Sequence, residues 1–196
     1  MRNPEAVYDC LTMISQLGRA LAGVSRLELQ RSAFLACILG LYRGLPVSDW
    51  GYRFARTEYG TPFSAEIADA TDFLATAGHI AERDGRYSPT DSGSKLRGLL
   101  GELSNCEIRN QFLDAACGSA LAVPPGLLSR GLDNEPTIQT SEIRAQGASL
   151  LEGPAVQLLY EHFDTLSKVL PLESDLLAPS VLWLAYVGGE QLSVRE

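Results

Sequence analysis

The run Gly78-His79-Ile80-Ala81-Glu82-Arg83-Asp84-Gly85-Arg86-Tyr87-Ser88-Pro89-Thr90 is the stretch from which the architecture can be read. Asp84-Gly85 tolerates the positive φ angles of a two-residue hairpin turn, so His79 to Glu82 and Arg86 to Ser88 read as two short paired strands. Downstream, Thr90 or Ser92 starts a helix with Leu96, Leu99, Leu100 and Leu103 expected inside. Upstream, Ser64 is placed to cap a helix from Ala65 to Ala77, with Ile67, Ala70, Leu74 and Ala77 on its apolar face and Gly78 as its stop.

Further upstream, Val7, Leu11, Ile14, Leu17 and Leu21 recur at steps of three and four, which predicts a helix over Pro4 to Leu21. Ser25 followed by Glu28 is a capping box for a helix from Arg26 to Tyr42, with Leu27, Phe34, Ile38 and Leu41 inward. From Asp49 to Thr57, Trp50, Tyr52 and Phe54 alternate, which favours an extended segment, and Tyr59 to Ser64 reads as a turn. Helix, helix, short strand, helix, hairpin, helix is the order of a winged helix-turn-helix, the hairpin being the wing. The fold class is therefore mainly α with a small β-wing. The expected organisation is an N-terminal helix (1–24), a winged-helix unit (25–103) and a helical C-terminal region (104–196).

In that last region Asn105 to Ala122 is a helix candidate with Ile108, Phe112, Leu113 and Ala116 inside. Leu127 to Ser149 is the least periodic part. A helix runs from Pro154 to Leu170, stopped by Pro171, and Ser174 caps a last apolar segment ending at Tyr186. The apolar stretch Leu176 to Val187 falls short of the roughly 20 residues that a membrane crossing needs. No basic start followed by an apolar core marks a secretory signal.

The chain has 196 residues, 16 Lys+Arg and 24 Asp+Glu, a net charge of −8. Hydrophobic residues at 45% and charged residues at 20% are a globular balance rather than a disordered one. The charge is uneven: residues 26–103 hold nine basic and ten acidic side chains, residues 104–196 five and twelve. Cys10, Cys37, Cys106 and Cys117 have no metal-knuckle spacing and read as buried free thiols, which fits a reducing cytoplasm. Phosphate-loop, dinucleotide-binding, His-Glu-x-x-His and Gly-x-Ser-x-Gly patterns are absent, so neither a cofactor nor a metal is expected. His79 and His162, the only two histidines, have no local partner that would build a triad or a metal site.

A winged helix that reads DNA brings Arg, Lys, Asn or Gln on its third helix to the bases. Here that helix carries Glu66, Asp69 and Asp72 and no basic residue, and carboxylates repel phosphate. Those three residues are candidates for a protein interface, together with Trp183 and Tyr186 near the C-terminal end, since aromatic residues often anchor interfaces. The rival reading is a transcriptional regulator or antitoxin that touches DNA through Arg53, Arg56, Arg83 and Arg86. Trp50, Tyr52, Phe54, Tyr59 and Phe63 read either as a stacking platform for single strands or, the favoured alternative, as core.

Leu29-Gln30-Arg31-Ser32-Ala33-Phe34-Leu35, Tyr52-Arg53-Phe54, Tyr59-Gly60-Thr61-Pro62-Phe63-Ser64, Gly78-His79-Ile80 and Tyr87-Ser88-Pro89-Thr90 together resemble a family of small bacterial winged-helix proteins. These are the YwgA-like proteins and the small middle components of ABC three-component systems, Lamassu-type antiphage operons among them. The resemblance covers about residues 26–93. Thr61 within the turn and Arg31 in place of the usual Lys depart from the family pattern. The resemblance implies a non-catalytic accessory subunit in a complex with an SMC-like ATPase and a nuclease-type effector, with direct nucleic-acid binding weak or absent and no membrane attachment.

Overall fold

The computed structural model of the chain describes residues 3–124, 126–140, 149–154, 156–170 and 175–189. The molecule is mainly helical with a small antiparallel sheet. Its first three long helices start where local chemistry places them. Asn3 caps α1 (Pro4–Ala20): its side-chain oxygen accepts from the Ala6 N–H at 2.9 Å, and Pro4 occupies the first turn, where its missing N–H costs nothing. Ser25 and Glu28 close a capping box on α2 (Arg26–Tyr42), with the Glu28 N–H donating to Ser25 Oγ at 3.2 Å and the Ser25 N–H to Glu28 Oε2 at 2.7 Å. Ser64 caps α3 (Ala65–Thr76). Its backbone is gripped from α2 as well, because the Ser64 N–H donates to Gln30 Oε1 at 2.7 Å and Gln30 Nε2 donates to the Ser64 carbonyl at 2.9 Å.

β4 (Ile80–Arg83) and β5 (Arg86–Pro89) form the expected hairpin. Asp84 and Gly85 turn it with φ of 53° and 72°. The short β1 (Val24–Ser25) pairs with the other edge of β5, giving the order β1-β5-β4. Between α2 and α3 the chain does not start extended. It makes a 3-10 turn over Val47–Trp50, and only then forms β2 (Ala55–Arg56), which pairs with β3 (Pro62–Phe63).

α4 (Asp91–Leu100), capped by Thr90, leads into α5 (Ser104–Ala122), which packs across α1 and α2. α6 (Leu127–Asp133), α7 (Pro136–Thr140), α8 (Val156–Val169) and α9 (Leu177–Val187) follow among the described residues. The expected stop Pro171 and cap Ser174 lie outside the described residues. One apolar cluster runs from α1 through α2 and α5 to α9, and burial of each Leu or Phe in it is worth about 1.5–3 kcal/mol. All four cysteines are buried free thiols. No described helix is long and apolar enough to cross a membrane.

Six apolar-face assignments are overturned, two of them because Leu21 and Ala77 fall one position past the ends of α1 and α3 and are exposed. Residues 32–41 of α2 are buried on every side, because other elements surround this helix, whereas Leu27 in its first turn projects past them and is 44% exposed. On α4 Leu96 and Leu100 pack on the core while Leu99 faces out, and Leu103, which lies past the end of α4 as the cap residue of α5, is exposed as well. On α5 the inward stripe is Cys106, Arg109, Phe112, Leu113 and Ala116; Ile108 lies off it, and the charged Arg109 takes the buried position.

Asp9 on α1 is the partner of Arg109. Both are essentially inaccessible to solvent. Arg109 Nε donates to Asp9 Oδ1 at 2.8 Å, Nη2 donates to Asp9 Oδ2, and Nη1 donates to the Trp50 carbonyl at 2.6 Å. Tyr52 Oη donates to Asp9 Oδ2 at 2.6 Å, and the guanidinium lies 3.9 Å from the centre of the Trp50 ring. Burial alone would push the Arg109 pKa down, but the hydrogen bonds and charge of Asp9 outweigh it and hold the group firmly cationic.

Two stability predictions follow from these contacts. A Cβ on Gly93 would sit 2.0 Å from the His79 carbonyl oxygen, while Gly98 on the same helix has nothing within 4 Å. Chemical denaturation should show Gly93→Ala destabilised by about 1–3 kcal/mol or more and Gly98→Ala stabilised by about 0.5–1 kcal/mol. In the same assay Arg109→Met should cost about 3–5 kcal/mol, because it strands the Asp9 carboxylate, and the double change Asp9→Leu/Arg109→Met should cost less than that single one.

Candidate interaction surface

α3 presents Glu66, Asp69 and Asp72 on one outward face, as their spacing of three requires. They line an open groove of about 830 Å³, together with Phe73, Thr76 and Ala77 of α3 and Asn3 and Val7 of α1. Val7 and Ala70 are buried and Phe73 half-buried, so the groove has an apolar floor under a polar rim. Asn3 is held there by two bonds: its Oδ1 caps α1, and its Nδ2 donates to the Gly51 carbonyl at 2.6 Å.

The three carboxylates are not equivalent. Asp72 pairs with Arg26, whose Nε also donates to Tyr87 Oη at 2.9 Å. Both partners of that ion pair are more than half exposed, so its contribution is about 0–1 kcal/mol. Glu66 accepts from Ser64 Oγ at 2.9 Å but stays half-exposed. Asp69 is exposed and has no side-chain partner among the described residues. The uncompensated negative charge of the face is therefore carried by Glu66 and Asp69.

The arginines of the rival reading do not gather into a basic patch. Arg86 folds back on the chain: Nη2 and Nε donate to the Gly23 carbonyl at 2.6 and 3.1 Å, and Nη2 lies 3.3 Å from Glu28. Arg53 pairs with Glu152 at 3.4 Å. Arg56 is half-buried, its guanidinium over Gly60. Arg83 is exposed at the hairpin tip, between Glu82 in sequence and Asp84 at the turn.

The aromatic run divides in two. Trp50, Tyr52 and Phe54 are buried and meet edge to face, Trp50 with Tyr52 at 6.1 Å and Tyr52 with Phe54 at 5.5 Å, so they are core. Tyr59 is 83% exposed and Phe63 40%. At the C-terminal end Trp183 is also core: it is 1% exposed and packs on Phe163, because α9 is covered by α5, α6 and α8. Tyr186 is 67% exposed, so of that pair it alone offers a surface.

Each histidine is tied to its own neighbourhood. His79 Nδ1 lies 2.8 Å from Ser92 Oγ. The His162 ring meets Tyr186 edge-on at 5.1 Å, and burial pulls its pKa below the ordinary 6.5 against an opposing push from Glu161. No group of three or more His, Cys, Asp or Glu side chains is arranged for a metal ion among the described residues. Comparison with family models, with curated proteins and with solved structures found no match.

The depressed His162 value makes the unfolded chain the better proton acceptor below about pH 6.5, so this group's contribution to stability is complete above that pH and is lost as pH falls. Denaturation at about pH 7.5 and about pH 5.5 should show a larger acid loss for the wild type than for His162→Gln.

Proposed function

We propose that this chain is a non-catalytic adaptor that docks onto a protein partner through the outer face of α3. Its helical frame would be a winged helix: the order α1-β1-α2-α3-β4-β5, the sheet order β1-β5-β4 and the Asp84-Gly85 turn all support that reading. The observation that carries the function is the sign of the charge on the exposed helix. Glu66 and Asp69 flank an apolar floor, while Arg86 is spent on Gly23 and Glu28 and Arg53 on Glu152. Counterion release from a nucleic-acid backbone needs free cations on the contact face, and this face offers carboxylates. A polypeptide surface that presents Lys or Arg around an apolar side chain is its complement.

The resemblance of residues 26–93 to the small subunits of three-component antiphage systems suggests who that partner is. On this reading it is an SMC-like ATPase or a nuclease-type effector encoded beside this chain. The adaptor would hold the two together.

Co-expression with the products of the flanking genes, followed by affinity purification and gel filtration, tests the proposal. The wild type should elute in a complex, and Glu66→Lys/Asp69→Lys should lower the captured partner at least tenfold with an unchanged thermal midpoint. A wild-type chain that elutes alone, or a charge-reversed variant that captures the partner fully, would overturn it.

A further inference from the structure

α4 has two unlike faces. Gly93, Leu96 and Leu100 turn toward the rest of the molecule, and the helix packs against α1. Lys95, Gly98, Leu99 and Glu102 fall at steps of three and four, so they share the opposite face, and all four are exposed. That face does not stop with the helix at Leu100. Gly101 keeps right-handed helical angles, φ −66° and ψ −14°, and the Leu103 N–H donates to the Leu100 carbonyl at 3.0 Å, so Glu102 continues the stripe. Leu99 is 66% exposed and Leu103, one turn on, 45%. Gly98 leaves open space between them and Lys95: nothing lies within 4 Å of where its Cβ would stand.

The charges of this face are ordered. Lys95 and Glu102 are seven residues apart, about 10.5 Å along the axis, and stand on either side of Gly98 and Leu99. Neither has a hydrogen-bond or ion-pair partner for its side chain among the described residues. Asp91, the other charge on this side, sits in the first turn, where the free N–H groups of the helix start favour it. Two copies of the face, set antiparallel across a two-fold axis between Gly98 and Leu99, place each Lys95 against the Glu102 of the other copy and bring the two Leu99 side chains together. A parallel pair would set Lys95 on Lys95 and Glu102 on Glu102, which repels. The face is complementary to itself in one orientation. We propose that the chain pairs with a second copy through this face of α4, antiparallel, with Leu99 and Leu103 as its apolar contacts and Lys95 with Glu102 as two symmetry-related ion pairs. The missing side chain at Gly98 lets the helices approach closely at the axis. The contact is small and its ion pairs are exposed, so the dimer dissociates in the range of tens to hundreds of micromolar.

None of the α3 residues that face the adaptor's partner lies on α4, so loss of one contact leaves the other intact. Sedimentation equilibrium of the purified chain at about 10–500 µM gives the test. The wild type should follow a monomer–dimer equilibrium. Lys95→Glu and Glu102→Lys should each raise the dissociation constant at least tenfold, because each sets like charges face to face. An equimolar mixture of those two variants should recover association to within about threefold of the wild type, since unlike charges then meet across the axis. Gly98→Gln, whose side chain enters open space in the single chain, should weaken pairing at least tenfold by holding the helices apart, with an unchanged circular dichroism spectrum. A wild type that stays monomeric up to about 500 µM would overturn the second copy as occupant and leave the face to a different protein. A dimer that all three variants leave unchanged, or a mixture that associates no more tightly than its components, would overturn the α4 face.

Discussion

The Asp9–Arg109 pair is the constraint on which the arrangement of the molecule depends. It joins helices that are a hundred residues apart in sequence, and the Arg109 hydrogen bond to the Trp50 carbonyl brings in the loop between α2 and α3 as a third member. A buried ion pair is not inherently stabilising, because desolvation offsets much of the attraction, but its geometry allows few alternatives. Two charge-assisted bonds, the Tyr52 hydroxyl and a ring face on the guanidinium admit one register of α1 against α5. Asp9 sits between Val7, which floors the α3 groove, and Cys10, whose thiol lies 3.7 Å from the Ile67 carbonyl of α3. The same interaction that orders the core thus positions the back wall of the candidate surface.

On that surface the decisive quantity is which charges remain unspent. Arg26 and Asp72 cancel locally, Arg86 closes the seam between β1 and β5, and Arg53 is matched by Glu152. Pairing takes up Arg53 and Arg86 of the DNA-binding reading and leaves Arg83 exposed at the hairpin tip, while Glu66 and Asp69 remain uncompensated on α3. This gives physical content to the adaptor proposal, which otherwise rests on the resemblance of one segment.

Features governed by neighbours in sequence were legible before any coordinates. The Ser25–Glu28 box, the Ser64 cap and the Asp84-Gly85 turn each depend on residues within a few positions and each is present, and of the two starts offered for the helix after the hairpin, Thr90 and Ser92, Thr90 is the cap. Glu66, Asp69 and Asp72 could be placed on one face because helical spacing alone puts them there. What sequence could not supply is which side of an element meets the rest of the chain. Ile108 and Arg109 differ by one position, and hydrophobicity favours the wrong one, because nothing local reveals that Asp9 waits opposite Arg109. Leu99 looks like core until α4 is seen to turn its other side to α1, and Leu103 looks like core until α4 is seen to end at Leu100. Trp183 resembled an interface anchor because its cover, α5, α6 and α8, comes from residues far away in sequence. A signal for Arg109 existed in principle: an arginine in phase with Cys106, Phe112 and Leu113 lies on the inward stripe.

The central claim is that the α3 face recognises polypeptide and not duplex. Fluorescence anisotropy of the purified chain with labelled DNA duplexes, including its own upstream region, across a range of salt concentrations tests that claim most directly. The account predicts no saturable binding at about 150 mM salt and no preference among sequences. Tight, sequence-selective binding at that salt, with a steep decline as salt rises, would contradict it.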